Sequence, residues 1–417
     1  MNILLENNRS KLSVISQLSI YVVMIIMLLS MKPWFIWNYH YMYMALFVVL
    51  FLLRIVILMK RKIIFVYDMP ILPIVFLTFW LFWIGFSSIN VKDLFSSIVI
   101  QILPLFFVLS MSISEKIKLK EVTMRIFAAI LAVSILFYIL FIVGFWFSYS
   151  VLDHPTNKTY NGFANFYFFI LPIRFYSLDF LRFSSVFTEP GHLGMMCALY
   201  LYVNEYEVKK WYNMVMLIAL LLSFSFAAYV LLLLGWMIYI WCKRKNIKSA
   251  IISVLVVLFC SCSLELYTSD NFSSGIVSTL ILNRMEYDEE RGISGNNRND
   301  EKFMAYYESF SNTEDYFFGI GKEKYSLLFD STQNSSYKTF ILQYGIIGTG
   351  IFISIFLSLI CCRPSRMAWG LFLLFLLSFL QRPYWYWSAQ SFMFIVSVAI
   401  FYYERSMKMN KASLRTW

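Results

Sequence analysis

One short stretch gathers a guanidinium, a carboxylate and an imidazole: Arg182-Phe183-Ser184-Ser185-Val186-Phe187-Thr188-Glu189-Pro190-Gly191-His192-Leu193-Gly194. Thr188 or Glu189 suits the N-cap of a helix, and Pro190 suits its first position, where the missing N–H would have had no helical partner anyway. The apolar run Met195–Val203 would carry that helix onward. Its N-terminus, with unpaired N–H groups and the positive end of the helix dipole, would then lie beside Arg182 as an anion site. Glu189 and His192, three residues apart, fall on one helix face, so either could accept a proton from a group held there. The combination predicts anion binding joined to proton transfer. Each residue also has a purely structural alternative: Glu189 as a capping carboxylate paired with Arg182, and His192 as a helix-end donor.

The elements that must position these residues are membrane helices. Sixty per cent of the 417 residues are hydrophobic and 14% charged, and the apolar residues fall in long blocks. That pattern predicts an all-α, polytopic membrane protein. Candidate spans are 14–31, 39–59, 70–89, 94–114, 126–149, 189–206, 211–223, 226–242, 249–265, 336–360, 367–380 and 388–403, about twelve in all. The first is followed by Lys32-Pro33-Trp34 instead of a small-residue cleavage site, so it reads as a retained span. Basic clusters at 60–62, 116–125, 209–210, 243–248, 363–366 and 405–415 all face the cytoplasm by the positive-inside rule. This requires splitting 211–242 at Ser223-Phe224-Ser225 and puts both termini inside. Residues 166–180, with Pro172, Arg174 and Asp179, are left as an interfacial or re-entrant piece on the outer side. Arg54 is expected to snorkel to the inner interface.

The net charge of +11 is spread over these inner loops, where anionic lipids account for it, so no nucleic-acid partner is predicted. The six cysteines form no disulfide framework. No metal-ligand or phosphate-loop pattern is present, and with His40, His154 and His192 as the only histidines neither a metal nor a cofactor is expected.

One connection differs from the rest. Residues 266–335 hold 12 of the 24 acidic residues and six basic ones, which makes them a large outer loop. Val277–Arg291 is expected to be a helix ending at Gly292, and Asp300–Phe310 a second, so the loop should be folded. Arg284, Arg291 and Arg298 recur at seven-residue intervals. Ordinary surface charge remains an open reading for Arg284 and Arg291. Arg298, just before a helix N-terminus, is the better candidate for a second anion site.

Four stretches together resemble the bacterial O-antigen polymerase and ligase family. Arg182–Gly194 is similar to its Arg-Phe-x-Gly-x-Phe-x-Glu-Pro-Asn element, and Leu222–Tyr229 to its pair of short helices joined at a Ser-Arg-Gly/Ala sequence. Phe318-Gly319-Ile320-Gly321 is similar to the Gly-x-Gly ending its outer loop. Gln333–Tyr337 with Leu342–Gly348 is similar to its His-Asn-x-Tyr…Gly-x-x-Gly entry to the next span. The likeness covers roughly residues 180–350. There are departures from the pattern: Gly191 replaces Asn, Phe226 replaces Arg, and Gln333 replaces the loop His, which argues against the ligase branch.

The resemblance implies a glycosyltransferase of GT-C-like architecture that needs no metal. It would join undecaprenyl-pyrophosphate-linked repeat units at the outer face of the inner membrane. The product would be O-antigen, capsule or exopolysaccharide, and a chain-length regulator protein is an implied partner. Cleavage at the donor's anomeric carbon expels a pyrophosphate, which fixed cations and helix N-termini can hold. Arg182 and Arg298 are the expected ligands, with Arg291 and Arg284 as further candidates. Glu189 is the expected base for the acceptor hydroxyl and His192 the alternative. The cluster Tyr384-Trp385-Tyr386-Trp387 could stack on sugars or form an interfacial aromatic belt. A transporter of the same lipid-linked sugars is the main rival of another class, but transporters commonly show repeated halves with matching broken helices. No such repeat is visible. A scaffold or sensor would need a larger cytoplasmic domain than these loops supply.

Overall fold

A computed structural model describes residues 13–37, 40–61, 70–87, 90–145, 147–153, 162–173, 182–244, 287–288, 292–293, 301–329, 336–382 and 387–413. The described chain is mainly helical. In order it forms α1 (Val14–Ser30), α2 (His40–Arg61), α3 (Ile71–Ser87) and α4 (Val91–Ser97), which runs through a π-turn at Ile98–Ile102 into α5 (Leu103–Leu109). Next come α6 (Ile113–Ile142), α7 (Pro190–Val203), α8 (Trp211–Leu222) and α9 (Phe226–Arg244). Three short helices follow, α10 (Glu301–Phe310), α11 (Asp315–Phe318) and α12 (Lys322–Phe329), and then α13 (Tyr337–Cys362), α14 (Arg366–Gln381) and α15 (Ser388–Ser413).

Among the described residues three helices are long and apolar enough to cross a membrane: Ile113–Ile142, Phe226–Lys243 and Tyr337–Cys362. Shorter apolar helices of 10–17 residues lie at Val14–Ser30, Ala45–Ile57, Ile71–Ser87, Ile98–Leu109, Trp211–Leu222 and Arg366–Leu380. Every expected span except 249–265, which lies outside the described residues, coincides with described helix. The span placed at 126–149 is displaced. Its helix starts at Ile113, because Ser112 and Glu115 form a capping box, and it stops at Ile142.

Two small sheets amend the all-α expectation. Strands β1 (Ser150–Leu152), β2 (Phe163–Asn165) and β3 (Ile170–Pro172) form an antiparallel sheet in that order, with Phe163 opposite Pro172. The first part of the expected re-entrant piece is therefore a hairpin. Its turn is closed by the Phe166 N–H donating to the Phe169 carbonyl (3.0 Å) and the Tyr167 N–H donating to Asn165 Oδ1 (2.8 Å). Pro172, with no N–H to give, sits on the edge strand where none is required. In the polar loop, β4 (Tyr287–Asp288) pairs with β5 (Gly292–Ile293). This overturns the helix expected over Val277–Arg291 at its C-terminal end: Tyr287 faces Ile293 across a ladder, a pairing of two good strand formers. The second expected helix is present as α10.

Arg54 does not snorkel. It is fully buried, pairs with the equally buried Glu115 at 3.2 Å and donates to the Ser110 carbonyl and hydroxyl, each at 3.0 Å. Glu115 also accepts from the Ser112 N–H (2.8 Å), so the end of α5, through Ser110, and the start of α6, through Glu115, supply the oxygens that compensate the desolvated guanidinium.

The described part of the polar loop at 301–329 is folded and locked to the bundle. Phe303, Tyr307, Phe310, Ile320 and Phe329 form a separate apolar cluster closed by Leu342 of α13. Beneath it α13 is broken at Gly345 (φ 71°, ψ 175°), which withdraws the carbonyls of Leu342, Gln343 and Tyr344 from regular helix bonding. Each finds another donor. The Ile320 N–H donates to Leu342 (2.9 Å), the Gly321 N–H to Gln343 (3.1 Å), and Trp83 Nε1 of α3 to Tyr344 (2.8 Å). Gly319 also takes a positive φ (83°), and a Cβ there would lie 2.5 Å from the Gln343 carbonyl oxygen. The two segments interlock through glycines because their backbones touch.

Candidate functional site

Helix α7 is the axis of the site. Leu193 to Val203 are buried without interruption, as a helix apolar on every side must be, and α7 packs on α8, α9 and α14. Gly194 permits the close approach: a Cβ there would stand 2.6 Å from Ala228 Cβ and 2.7 Å from Ser223 Oγ. At the far end Lys120 Nζ donates to the Val203 carbonyl (2.9 Å), a cation on a helix C-terminus.

The N-terminus of α7 falls where the sequence places it, with Glu189 at the N-cap position and Pro190 in the first turn. The Glu189 carboxylate, however, makes no capping bond to α7. Its Oε2 lies 3.3 Å from His192 Nε2 and is ion-paired with Arg382 Nη1, and the same Nη1 bonds to His192 Nε2. Arg382 is the C-cap residue of α14, so the cluster joins two distant parts of the chain. The structure gives Glu189 a cationic partner that the sequence did not suggest, Arg382. All three side chains are mostly buried, between 11% and 18% exposed, which leaves them reachable but poorly screened by water. Trp387, the last residue of the aromatic cluster, packs edge-on to the His192 ring at 5.0 Å between centroids. Residues 384–386 lie outside the described residues.

Arg182 is held by the elbow between α8 and α9. Its Nε donates to the Ser223 carbonyl (3.2 Å), and the Phe183 N–H donates to Leu222 (3.0 Å). Both close carbonyls at the C-terminus of α8, where a cation is favoured. Nε is one of five guanidinium donors. The elbow turns at Phe224 (φ 44°), and Ser225 Oγ would be 3.7 Å from a Cβ on Gly191. Two of the four stretches singled out in the sequence thus meet around the first turn of α7. Ser185 takes φ 56°, a left-handed conformation that glycine adopts at least cost.

Lys32 stands beside the loop that leads into α7, and Lys322 stands near Lys32. Thr188 Oγ1 donates to the Lys32 carbonyl (3.3 Å), and Pro33 bridges to Phe187, so Lys32 flanks the loop leading into Glu189. Its side chain reaches solvent between walls of protein; burial, and then the Lys322 ammonium, push it below the ordinary lysine range. Lys322 begins α12, directly after the glycine interlock. Among the described residues no group of three or more His, Cys, Asp or Glu side chains could hold a metal ion.

Comparison of the chain with family models, curated proteins and solved structures finds no match.

Of the residues expected at the site, the structure brings Glu189 and His192 into contact and sets Arg182 on the adjoining elbow. Arg284, Arg291 and Arg298 lie outside the described residues. Arg382, Lys32 and Lys322 were not anticipated. Arg382 did carry a signal: it ends an apolar run on the side from which the charge rule excludes basic clusters, next to four aromatic residues.

Proposed function

We propose that the chain is a multi-pass polysaccharide polymerase of the bacterial inner membrane. It joins undecaprenyl-pyrophosphate-linked oligosaccharide repeat units at the outer face, with both termini in the cytoplasm. The observation that carries this reading is the Glu189–His192–Arg382 cluster at the N-terminus of α7, with Arg182 on the adjoining elbow. Proton-accepting groups and fixed cations stand together where a helix N-terminus also favours an anion. Glycosyl transfer from a lipid pyrophosphate needs both functions. The cations hold the leaving pyrophosphate as its charge develops, and a carboxylate or imidazole removes the proton from the attacking sugar hydroxyl. Arg298 from the polar loop is the further pyrophosphate ligand in this reading, with Arg291 and Arg284 as additional candidates. In this reading the chain has a GT-C-like architecture and both lipid-linked substrates enter from the outer leaflet.

The test supplies lipid-linked repeat units to the outer face of membrane vesicles holding the protein. A ladder of products differing by one repeat unit supports a polymerase. Transfer only to a lipid A-core acceptor supports a ligase, and movement of the units across the membrane without joining supports a flippase.

A further inference from the structure

Arg382 Nη1 meets two groups at once, Glu189 Oε2 and His192 Nε2. A guanidinium offers only donors, so Nε2 must be the acceptor and the ring proton must sit on Nδ1. The carboxylate and the imidazole lone pair, the two groups able to take a hydroxyl proton, are therefore both turned onto one cation. In that state neither is directed at a substrate. Arg182 stands on the adjoining elbow, and Lys32, with the Lys322 ammonium near it, flanks the loop that leads into Glu189, so further cations border this end of α7. A pyrophosphate arriving there would compete with Glu189 for Arg382, and its paired oxygens match the guanidinium fork better than one carboxylate oxygen does.

We infer that Arg382 is a pyrophosphate ligand that occupies the Glu189–His192 base while no donor is bound, and that donor binding draws it away and frees the base. This rests on reading the site as one for glycosyl transfer. With Arg382 on the pyrophosphate, the acceptor hydroxyl gives its proton to His192 Nε2 as its oxygen bonds to the donor's anomeric carbon. The bond from that carbon to the pyrophosphate oxygen breaks, and its electron pair leaves on the pyrophosphate, neutralised by Arg382. Glu189, 3.3 Å from Nε2, stabilises the imidazolium until the proton passes to water. The base is thereby available only when a leaving group is in place.

The experiment measures farnesyl pyrophosphate binding to the full-length protein in detergent. Glu189→Gln removes the competitor for Arg382, so binding should tighten on the order of tenfold, the equivalent of one charged hydrogen bond no longer contested. Arg382→Gln should weaken binding, and in that background Glu189→Gln should bring no tightening. Equal tightening in both backgrounds would make Glu189 a general negative charge and overturn the inference, as would no tightening in the single variant. Should Arg382→Gln fail to fold because it strands a carboxylate, the double variant has lost both charges and replaces it. It should bind no more tightly than wild type; binding as tight as that of Glu189→Gln would remove Arg382 from the ligands. Wild-type protein that binds no farnesyl pyrophosphate would overturn the pyrophosphate reading itself, a result distinct from binding without coupling.

Discussion

Alanine at Gly345 should separate the polar loop from the helix bundle. The residue sits at φ 71° and ψ 175°, a region held almost only by glycine, and an L-residue there costs about 1–3 kcal/mol. Its new Cβ would run into the Phe317 carbonyl, which is backbone and cannot swing aside, adding about 1–3 kcal/mol of overpacking. The sum is roughly 2–6 kcal/mol. Gly350 is the control. It lies five residues on in the same helix with nothing within 4 Å of where a methyl group would stand, so Gly350→Ala should stabilise by up to about 1 kcal/mol. At this chain length the midpoint moves roughly 1 °C per kcal/mol, and thermal unfolding in detergent should place Gly345→Ala several degrees below Gly350→Ala. Limited proteolysis should also open 301–329 in Gly345→Ala first, because the Ile320 and Gly321 N–H groups lose their acceptors on α13. Equal midpoints and equal protection in the two variants would refute the interlock.

Other consequences are open to direct measurement. Reporters fused within 266–335 should be exported while those after Lys245 and Lys411 stay cytoplasmic; a cytoplasmic signal at residue 300 would invert the proposed site. Arg182→Ala and Arg298→Ala should each lower polymer formation about a hundredfold or more in folded protein, with lysine restoring only part, since a point charge does not reproduce the fork. Normal long-chain polymer from either alanine variant would remove that residue from the site. Gly194→Ala should destabilise by about 1–3 kcal/mol through collision with Ala228 and Ser223, read as a lower unfolding midpoint. Lys32 starts from a lowered pKa, and an anion beside it favours the charged form. Farnesyl pyrophosphate binding should therefore take up protons at any pH where Lys32 is partly deprotonated in the free protein, visible across a pH series as buffer-dependent heat that Lys32→Gln abolishes.

Much of the helical framework was legible because long apolar blocks have few other uses, and Pro190 marked the start of α7 without ambiguity. The Glu189–His192 contact was legible too, since three residues along a helix is a local spacing. What escaped was non-local. Arg382 lies 193 positions beyond Glu189, and only the packing of α14 against α7 brings them together. The partner of Arg54 escaped for the same reason, as did the role of Gly345, whose backbone geometry depends on a segment some 25 residues earlier. The hairpins at 163–172 and 287–293 were missed because strands of two or three residues are too short to establish an alternating pattern.

The central claim is that Glu189 and His192 take the acceptor proton beside a pyrophosphate held by arginines. Single-turnover joining of two lipid-linked repeat units by purified protein tests it most directly, with binding of the units measured separately. Glu189→Gln keeps the size and one side-chain oxygen but loses the charge that can take the proton itself or stabilise the His192 imidazolium, so it should bind the units and fail to join them. Joining near the wild-type rate by Glu189→Gln, and again by His192→Gln, would contradict the account.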